Sequence, residues 1–173
     1  DVKVDFVGHP LLDELKELPE VHAVSNSNTI ALVPGSRKQE IAYLLPEYLK
    51  VIEEFPEYRF VITGLRNIGE DFYRQIIGTA GVELAMDRTY EVIHSSKAAI
   101  VTSGTATLET ALHGVPEVIC YKGSWISYYI AKALIKNIRF ICIVNLICDK
   151  RVVEELIQAD VNKERLVLEL KKI

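Results

Sequence analysis

Short runs of apolar and β-branched residues alternate with helical stretches along most of this chain, and this alternation limits its possible folds more than any other feature. Continuous apolar strands are typical of a parallel sheet that is covered by helices on both faces. Strands that alternate with helices through right-handed crossovers predict an α/β fold with a doubly wound, Rossmann-like parallel sheet. The predicted strands are Thr29–Val33, Arg59–Thr63, Val82–Ala85, Ala98–Thr102, Glu117–Tyr121 and Phe140–Val144.

The stretches between the strands have the spacing of helices. Pro46 either kinks the first helix or begins its main part, because proline fixes its own backbone and lacks an N–H group. The apolar face of that helix consists of Ile41, Leu44, Leu45, Tyr48 and Ile52. Further helices are predicted at Asp71–Ile77, Tyr90–Ser95, Ala106–His113 and Ile126–Lys136, and the chain beyond Val144 is predicted to be helical.

Length and charge restrict the class of protein. With 173 residues the chain fits one domain, residues 1–173, which can bury a sizeable core. A net charge of −4 gives no electrostatic footprint for nucleic acid, so we expect no nucleic-acid partner. No apolar run reaches the length of a membrane span, and the first residues do not form a signal peptide. The chain begins without Met and in mid-pattern, so we expect a fragment of a longer protein.

Cysteine and histidine give no sign of a metal site. Cys120, Cys142 and Cys148 lie in apolar stretches without a CxxC pair, as expected of small buried side chains in a reducing cytosol. The four histidines are scattered without the spacing of metal ligands. We therefore predict neither a metal site nor a cofactor.

Ligands of doubly wound sheets bind beyond the carboxyl ends of the strands, so the residues after each strand are candidates for a site. Pro34–Arg37 follows the first strand. Gly35 permits a tight turn, Ser36 can cap the next helix, and Arg37 adds a forked cation suited to phosphate. Two interpretations stay open, namely an anion site at a helix N-terminus and an ordinary capped turn with an exposed arginine.

A second polar turn follows the fourth strand. Ser103, Gly104 and Thr105 bring hydroxyl groups and a flexible backbone to a helix N-terminus, which favours phosphate binding, although no P-loop lysine follows. Glu109 lies one helical turn after Thr105 on the same face. A carboxylate repels phosphate but accepts hydrogen bonds from a ribose diol, so we favour a ribose contact over a solvated helix position.

Two more predicted strand ends carry polar side chains. Lys122, after the fifth strand, is a third candidate cation for phosphate, although a lysine at a strand end is more often merely exposed. Asn145, after the sixth strand, either hydrogen-bonds a sugar hydroxyl or caps a turn. These residues alone leave both questions open.

The predicted helix at Ile126–Lys136 has an amphipathic outer face. Its aromatic and basic side chains are Trp125, Tyr128, Tyr129, Lys132 and Lys136. Such a face rests either at a membrane surface or against a partner domain or subunit, and we favour the partner.

Four stretches stand in an order and spacing that extend over nearly the whole chain. They are residues 4–13 (VDFVGHPLLD), residues 34–41 (PGSRKQEI), residues 98–122 beginning AAIVTSGTATLETA, and residues 145–147 (NLI) with 155–158 (ELIQ). Together they resemble the lipid-A-disaccharide synthase family, and the third stretch is the most specific. The match begins in the middle of that family's sequence, so we expect an acceptor-side domain and a C-terminal stretch outside this chain.

This resemblance implies the C-terminal, donor-binding half of a two-domain GT-B glycosyltransferase. Enzymes of that family join UDP-2,3-diacylglucosamine to 2,3-diacylglucosamine 1-phosphate with inversion at the sugar carbon, form a β-1′,6 linkage and release UDP in lipid A synthesis. The resemblance also implies a cytoplasmic enzyme associated peripherally with the bacterial inner membrane, and a homodimer is one possible assembly. UDP-sugar is then a substrate and not a cofactor, and metal-independent transfer is expected because the chain has no Asp-x-Asp motif.

By the matching motifs, the resemblance assigns the UDP diphosphate to the two polar turns, Pro34–Arg37 and Ser103–Thr105. Glu109 is implied to bind the ribose or a neighbouring hydroxyl, and Asn145 is implied to lie near the transferred sugar. The family usually has Pro before this Asn, where the chain has Val144. This departure leaves the local backbone path, and with it the position of Asn145, open.

Transfer of a sugar from UDP builds negative charge on the departing diphosphate. We expect Arg37, Lys122 and the two helix N-termini to neutralise that charge, because they are preorganised donors. Transfer also needs a general base for the acceptor hydroxyl, which the resemblance places on the other domain. We therefore expect this chain alone to bind UDP weakly and to lack transferase activity.

Two rival interpretations stay open. Other GT-B proteins, such as a different UDP-sugar transferase or a non-hydrolysing UDP-sugar epimerase, share the fold and a ribose-binding glutamate, and only the flanking stretches argue against them. A non-catalytic nucleotide-binding module or a receiver-like signalling domain is the other. A receiver needs an acidic cluster at its strand ends, whereas these strand ends carry Gly, Ser, Thr and Arg.

Overall fold

One parallel sheet forms the centre of the structure. This computed structural model describes residues 28–123 and 139–173, together with the single residues Gly8 and Leu11. Its strands are β1 (Thr29–Val33), β2 (Arg59–Gly64), β3 (Glu83–Met86), β4 (Ala98–Thr102), β5 (Glu117–Tyr121) and β6 (Glu154–Ile157). Its helices are α1 (Lys38–Leu49), α2 (Glu70–Ile77), α3 (Thr89–His94), α4 (Thr105–Leu112), α5 (Ile143–Cys148) and α6 (Lys163–Leu170), with single 3₁₀ turns at Ile52–Glu54 and Gln158–Asp160.

The strands are arranged in the order β3-β2-β1-β4-β5-β6, and all neighbouring pairs are parallel. The chain enters at β1, builds outward through β2 and β3, and then returns to the other side of β1 with β4. The direction of winding therefore reverses between β1 and β4. This reversal is the topological switch point, the place where doubly wound sheets bind their ligands.

Helices cover both faces of the sheet. Ile30 and Leu32 of β1 pack with apolar side chains of α1, α2 and α6 on one face. Ala31 and Val33 of the same strand pack with α3 and α4 on the other face, which α5 extends beneath β5. This alternation follows from the period of two in a strand and from burial on both sides.

Five of the six predicted strands are confirmed to within one residue, and the prediction at Phe140–Val144 is wrong. The run Ile143–Cys148 forms helix α5, and the sixth strand lies further on, at Glu154–Ile157. The chain beyond Val144 is therefore only partly helical. A short apolar run fits a buried strand and a buried helix equally well, which explains the error.

The predicted helices before β5 are confirmed to within one residue at α2, α3 and α4. Four residues of the predicted apolar face, Ile41, Leu44, Leu45 and Tyr48, are buried in α1, whereas Ile52 is half-buried and lies beyond the helix in a 3₁₀ turn. Pro46 lies inside α1 near its end and does not begin its main part. The predicted helix at Ile126–Lys136 lies outside the described residues. Of the three cysteines, Cys120 and Cys142 are buried as expected, whereas Cys148 is exposed, which corrects the prediction.

Candidate functional site

The carboxyl ends of β1 and β4 lie side by side at the switch point. Val33 of β1 is in register with Val101 of β4, so the turns that follow these strands start next to each other. The sequence predicts one polar turn at each of these two strand ends, at Pro34–Arg37 and Ser103–Thr105. The structure confirms both positions and brings the two turns together.

Gly35 lets the first turn approach β4 closely. Its φ of +108° lies in the left-handed region, which L side chains rarely adopt. A Cβ atom at this position would lie 2.8 Å from Oε2 of Glu40 and 3.3 Å from Cγ2 of Thr102. The backbone conformation therefore favours glycine, and a side chain at this position would also force the Glu40 carboxylate to move.

Each turn leads directly into a helix N-terminus. α1 begins after Arg37 and α4 begins after Gly104, and within residues 28–123 neither of these two flanking residues caps its helix with a side chain. The predicted capping role of Ser36 is wrong, because Arg37 occupies the cap position and Ser36 lies one residue earlier, exposed to solvent. The backbone N–H groups of a helix's first turn attract anions, and here two such N-termini start at adjacent strand ends.

Hydrogen bonds hold the second turn in a defined shape. The backbone N–H of Ser103 donates to the carbonyl oxygen of Cys120 at 2.9 Å, which extends the pairing of β4 with β5 by one residue. The hydroxyl of Thr107 donates to the carbonyl oxygen of Gly104 at 2.7 Å. Thr105 is exposed at the first position of α4. The turn is therefore preorganised, with its outer hydroxyl facing solvent.

Both predicted cations are held by carboxylates of α1. Arg37 donates to Glu40 at 2.7 Å, and its side chain is 78% exposed. Lys122 donates to Glu47 at 2.8 Å, and Lys50 donates to the other oxygen of Glu47 at 2.7 Å. Burial alone would raise the pKa of Glu47, but the hydrogen bonds and charges of Lys122 and Lys50 outweigh burial and lower this pKa. Glu47 is therefore ionised at neutral pH.

A cleft of about 210 Å³ opens between the first half of α1 and the carboxyl ends of β4 and β5. Its lining includes three of the predicted site residues, Arg37, Ser103 and Lys122. Side chains that the sequence did not single out also line it, among them Gln39, Glu40, Tyr43 and Tyr121. We call this space the α1 cleft. It continues directly from the two turns, because Arg37 and Ser103 belong to both.

Glu109 lies on the other side of the strand ends. It is half-buried on α4, one turn after Thr105, as the spacing predicts. Its helix packs against the sheet face opposite to α1. Apart from Asn145, the predicted site residues therefore form two groups, one around the α1 cleft and one on α4, and the two turns lie between the groups.

Comparison with known proteins shows the family of this chain. The family described as lipid-A-disaccharide synthetase matches residues 1–172. The chain belongs to this family. The lipid-A-disaccharide synthase of Syntrophus aciditrophicus (strain SB) is 38% identical, with 98% of this chain and 48% of that protein covered. The enzyme of the same name from Geobacter sulfurreducens is 35% identical, with 98% of this chain and 47% of that protein covered. The chain thus spans about half the length of the curated relatives it matches.

A solved structure supports the fold. The crystal structure of the glycosyl transferase family 9 protein from Veillonella parvula DSM 2008 matches 86% of this chain and 47% of that chain, with a TM-score of 0.53 and 14% identity. At this identity the likeness shows the fold alone. The doubly wound, Rossmann-like class predicted from the sequence is confirmed, and it is a fold of the glycosyltransferase type.

Asn145 does not stand at a strand end in this lipid-A-disaccharide synthetase family member, so the premise of its predicted position is wrong. It is fully buried in α5. Its amide nitrogen donates to the carbonyl oxygen of Val153 at 2.9 Å and to Glu155 at 2.7 Å. Its amide oxygen accepts from the backbone N–H groups of Val152 and Val153 at 2.7 and 3.0 Å. All four hydrogen-bonding positions of the amide are used to tie α5 to β6 and to the loop before it.

Gln158, which the sequence prediction passed over, stands where the prediction placed Asn145, directly after the sixth strand. It is 4% exposed and adopts a left-handed φ of 54°. Its amide oxygen accepts from the backbone N–H of Gly123, the neighbour of Lys122, at 3.3 Å, and its amide nitrogen has no hydrogen-bond partner in the described part of the chain. The rule of inspecting strand ends would have found Gln158 if β6 had been placed correctly.

Within residues 28–123 and 139–173, no group of three or more His, Cys, Asp or Glu side chains is arranged to hold a metal ion. In the same part of the chain, no helix combines the length and the apolar character needed to cross a membrane.

Proposed function

We propose that this chain is the donor-binding domain, residues 1–173, of an inverting glycosyltransferase that makes the lipid A disaccharide. The donor is UDP-2,3-diacylglucosamine, the acceptor is 2,3-diacylglucosamine 1-phosphate, and UDP is released. Membership of the lipid-A-disaccharide synthetase family supports this reaction. The observation that carries the donor-binding role is the meeting of two helix N-termini, each preceded by a polar turn, at the switch point of the sheet.

In the proposed reaction an acceptor hydroxyl attacks the anomeric carbon of the donor sugar. A new carbon–oxygen bond forms as the bond to the UDP β-phosphate oxygen breaks, and the electron pair leaves with UDP. Arg37, Lys122 and the backbone N–H groups at the starts of α1 and α4 stabilise this growing charge. Lys122 and the backbone N–H groups are held in place before the reaction, and such preorganised donors lower the barrier.

The two cations reach a phosphate in different ways, because Arg37 exchanges its partner and Lys122 keeps it. Arg37 pairs with Glu40 at the surface, where an ion pair contributes only about 0–1 kcal/mol, so phosphate oxygens replace the carboxylate at little cost. Lys122 has three donors and uses one on Glu47. It can therefore donate to a phosphate oxygen while Glu47 still holds its ammonium group.

Glu109 is the proposed ribose ligand, since a carboxylate accepts hydrogen bonds from a diol and its helix packs on the sheet face opposite to α1. Asn145 then acts by holding the loop before β6 and contacts no sugar atom directly. The general base for the acceptor hydroxyl is proposed to lie on an acceptor-side domain. Transfer without a metal ion is expected, because the chain has no Asp-x-Asp motif and the cations above supply the neutralisation.

Both proposed substrates are lipids, which determines where the enzyme works. Their acyl chains keep them at a bilayer surface, so we propose a cytoplasmic enzyme that associates peripherally with the inner membrane. A homodimer is the assembly we propose to test first, by light scattering of the full-length protein. Neither proposal assigns a membrane or dimer contact to a particular residue of this chain.

Titration with UDP tests the donor site. We expect the chain to bind UDP weakly and to show no transfer activity, and we expect Arg37→Ala to weaken UDP binding about ten-fold or more through loss of a charge-assisted hydrogen bond. Glu109→Ala is expected to weaken it by a similar factor. Arg74→Ala is the matched control, because Arg74 also pairs with a glutamate of its own helix, at 3.0 Å, but lies on α2 away from the site. Unchanged affinity in both the Arg37 and Glu109 variants would remove this site.

A further inference from the structure

We propose that the α1 cleft is the subsite for the sugar ring of the donor, an acylated amino sugar linked to UDP. This inference rests on the proposed function, because it takes a UDP-sugar as the ligand. It goes beyond that function by naming the residues that contact the sugar. They are Gln39, Tyr43 and Tyr121, with Arg37 and Lys122 at the side of the cleft that faces the diphosphate.

The direction of the donor across the sheet edge is the first argument. Glu109 lies on α4, which packs on one face of the sheet, and α1 packs on the opposite face. If the ribose is bound by Glu109 and the diphosphate by the two turns, the nucleoside end occupies the α4 side. The sugar end then leaves the turns on the α1 side. The cleft there begins at Arg37 and Ser103, which belong to the turns themselves.

The size of the cleft is the second argument. Pockets that enclose a whole drug-sized ligand have volumes of roughly 300–1,000 Å³. The α1 cleft, at about 210 Å³, is smaller than that range and cannot enclose a complete UDP-sugar. It is suited to one part of the donor, while the remainder lies across the open turns.

The chemistry of the lining is the third argument. Tyr43 and Tyr121 are 42% and 36% exposed, so two large aromatic rings face solvent at this edge of the sheet. Aromatic rings offer apolar surface to the C–H face of a sugar, and their hydroxyl groups remain available for hydrogen bonds. Gln39 adds an amide that both donates and accepts, which suits hydroxyl groups and an N-acyl linkage. A diphosphate needs none of these side chains.

The structure also removes the competing location. Asn145 uses both of its amide N–H donors and both acceptor positions on β6 and the loop before it. It is fully buried, so a sugar hydroxyl would have to displace an internal partner to reach it. Gln39 and Tyr43 require no such displacement, because both already line an open cleft.

Calorimetric titration of the chain with two ligands, UDP and UDP-2,3-diacylglucosamine, tests this assignment. We expect Tyr43→Ala to leave the Kd for UDP within two-fold and to weaken the UDP-sugar about five-fold, the loss that one aromatic contact typically causes. Tyr43→Phe is expected to retain most of the UDP-sugar affinity, because it keeps the ring. Gln39→Ala is expected to change the UDP-sugar affinity in the same direction as Tyr43→Ala. Leu168→Ala is the control, since Leu168 is 49% exposed on α6 and is not among the residues that line the α1 cleft.

The outcomes separate the two levels of the proposal. A selective loss of UDP-sugar affinity in Tyr43→Ala supports the sugar subsite. Equal weakening of the binding of both ligands would mean that the cleft holds the nucleoside or the diphosphate. Unchanged binding of both would mean that the cleft holds no part of the donor. Either result overturns the inference while the proposed function stands. Failure of the unmodified chain to bind UDP at all would instead refute the proposed function.

Discussion

Glu117 allows a test of how the stability of this fold depends on pH. It is the first residue of β5 and is 3% exposed, and neither of its carboxylate oxygens has a hydrogen-bond partner within residues 28–123 and 139–173. Burial raises the pKa of this carboxyl from 4.5 to about 9. At neutral pH the folded chain therefore holds Glu117 as the neutral acid, whereas the unfolded chain exposes it as a carboxylate.

The sign of the pH dependence follows from this difference. Below pH 4.5 the carboxyl is protonated in both the folded and the unfolded chain, so it does not change the free energy of unfolding with pH. Between pH 4.5 and about 9 only the unfolded chain ionises, so the free energy of unfolding falls as the pH rises. Each pH unit in that window costs about 1.4 kcal/mol, so roughly 3 kcal/mol is lost between the unfolded pKa and pH 7. We expect Glu117→Gln, which cannot ionise, to remove this loss and to be the more stable protein at neutral pH.

Urea unfolding at a series of pH values between 4.5 and 8.5 measures the effect. The variant and the original chain should have similar free energies of unfolding at the acid end, and the difference should grow by about 1.4 kcal/mol per pH unit in favour of the variant. Glu83→Gln is the control, because Glu83 also begins a strand but is 44% exposed and lies near Arg59. Parallel stability curves for the original chain and Glu117→Gln would refute the neutral state of Glu117.

Two further substitutions test the local structure on which the site depends. Gly35→Ala places a side chain at a φ of +108° against Glu40, so we expect the free energy of unfolding to fall by about 1–3 kcal/mol and the affinity for UDP to fall with it. Urea unfolding and UDP titration measure the two effects, and unchanged values of both would contradict the close approach of the two strand ends. Asn145→Ala leaves the backbone N–H groups of Val152 and Val153 without their acceptor, so we expect a loss of about 3 kcal/mol in urea unfolding with the Kd for UDP changed less than two-fold. A large loss of UDP affinity in a stable Asn145→Ala variant would instead support direct contact between Asn145 and the ligand.

The central strands were predictable because burial on both faces leaves a continuous signal. Every residue of β1 and of β4 is buried, so each strand is a run of apolar residues and threonine between polar turns. β6 gives no such signal, because it is an edge strand with the sequence EELI, and of its residues only Leu156 is fully buried. The more apolar run at Phe140–Val144 competed with it and was placed in the sheet in error.

The site residues were predictable only where they directly follow a strand in the sequence. A glycine or hydroxyl residue directly after a strand can be read from the sequence, and the strand order then brings the two turns together. The pairing of Lys122 with Glu47 connects residues 75 positions apart, and no local pattern indicates it. Tyr43 and Gln39 on α1 have the spacing of an ordinary solvent-facing helix surface, so their place in a cleft depends on the tertiary position of β5.

The acidic side chains beside the candidate diphosphate site are compatible with anion binding for a geometric reason. Glu47 is 16% exposed and holds Lys122 and Lys50 on its two oxygens, so its negative charge is balanced within α1 and the end of β5. Lys122 is 26% exposed and lines the α1 cleft, which orients an already fixed ammonium group toward a ligand. A lysine that is fixed before binding loses less side-chain entropy when it contacts phosphate than a freely rotating one. Glu47 therefore reduces the net positive charge of the site, but it also reduces the entropy that Lys122 loses when it contacts phosphate. The affinity for UDP depends on the balance of these two effects.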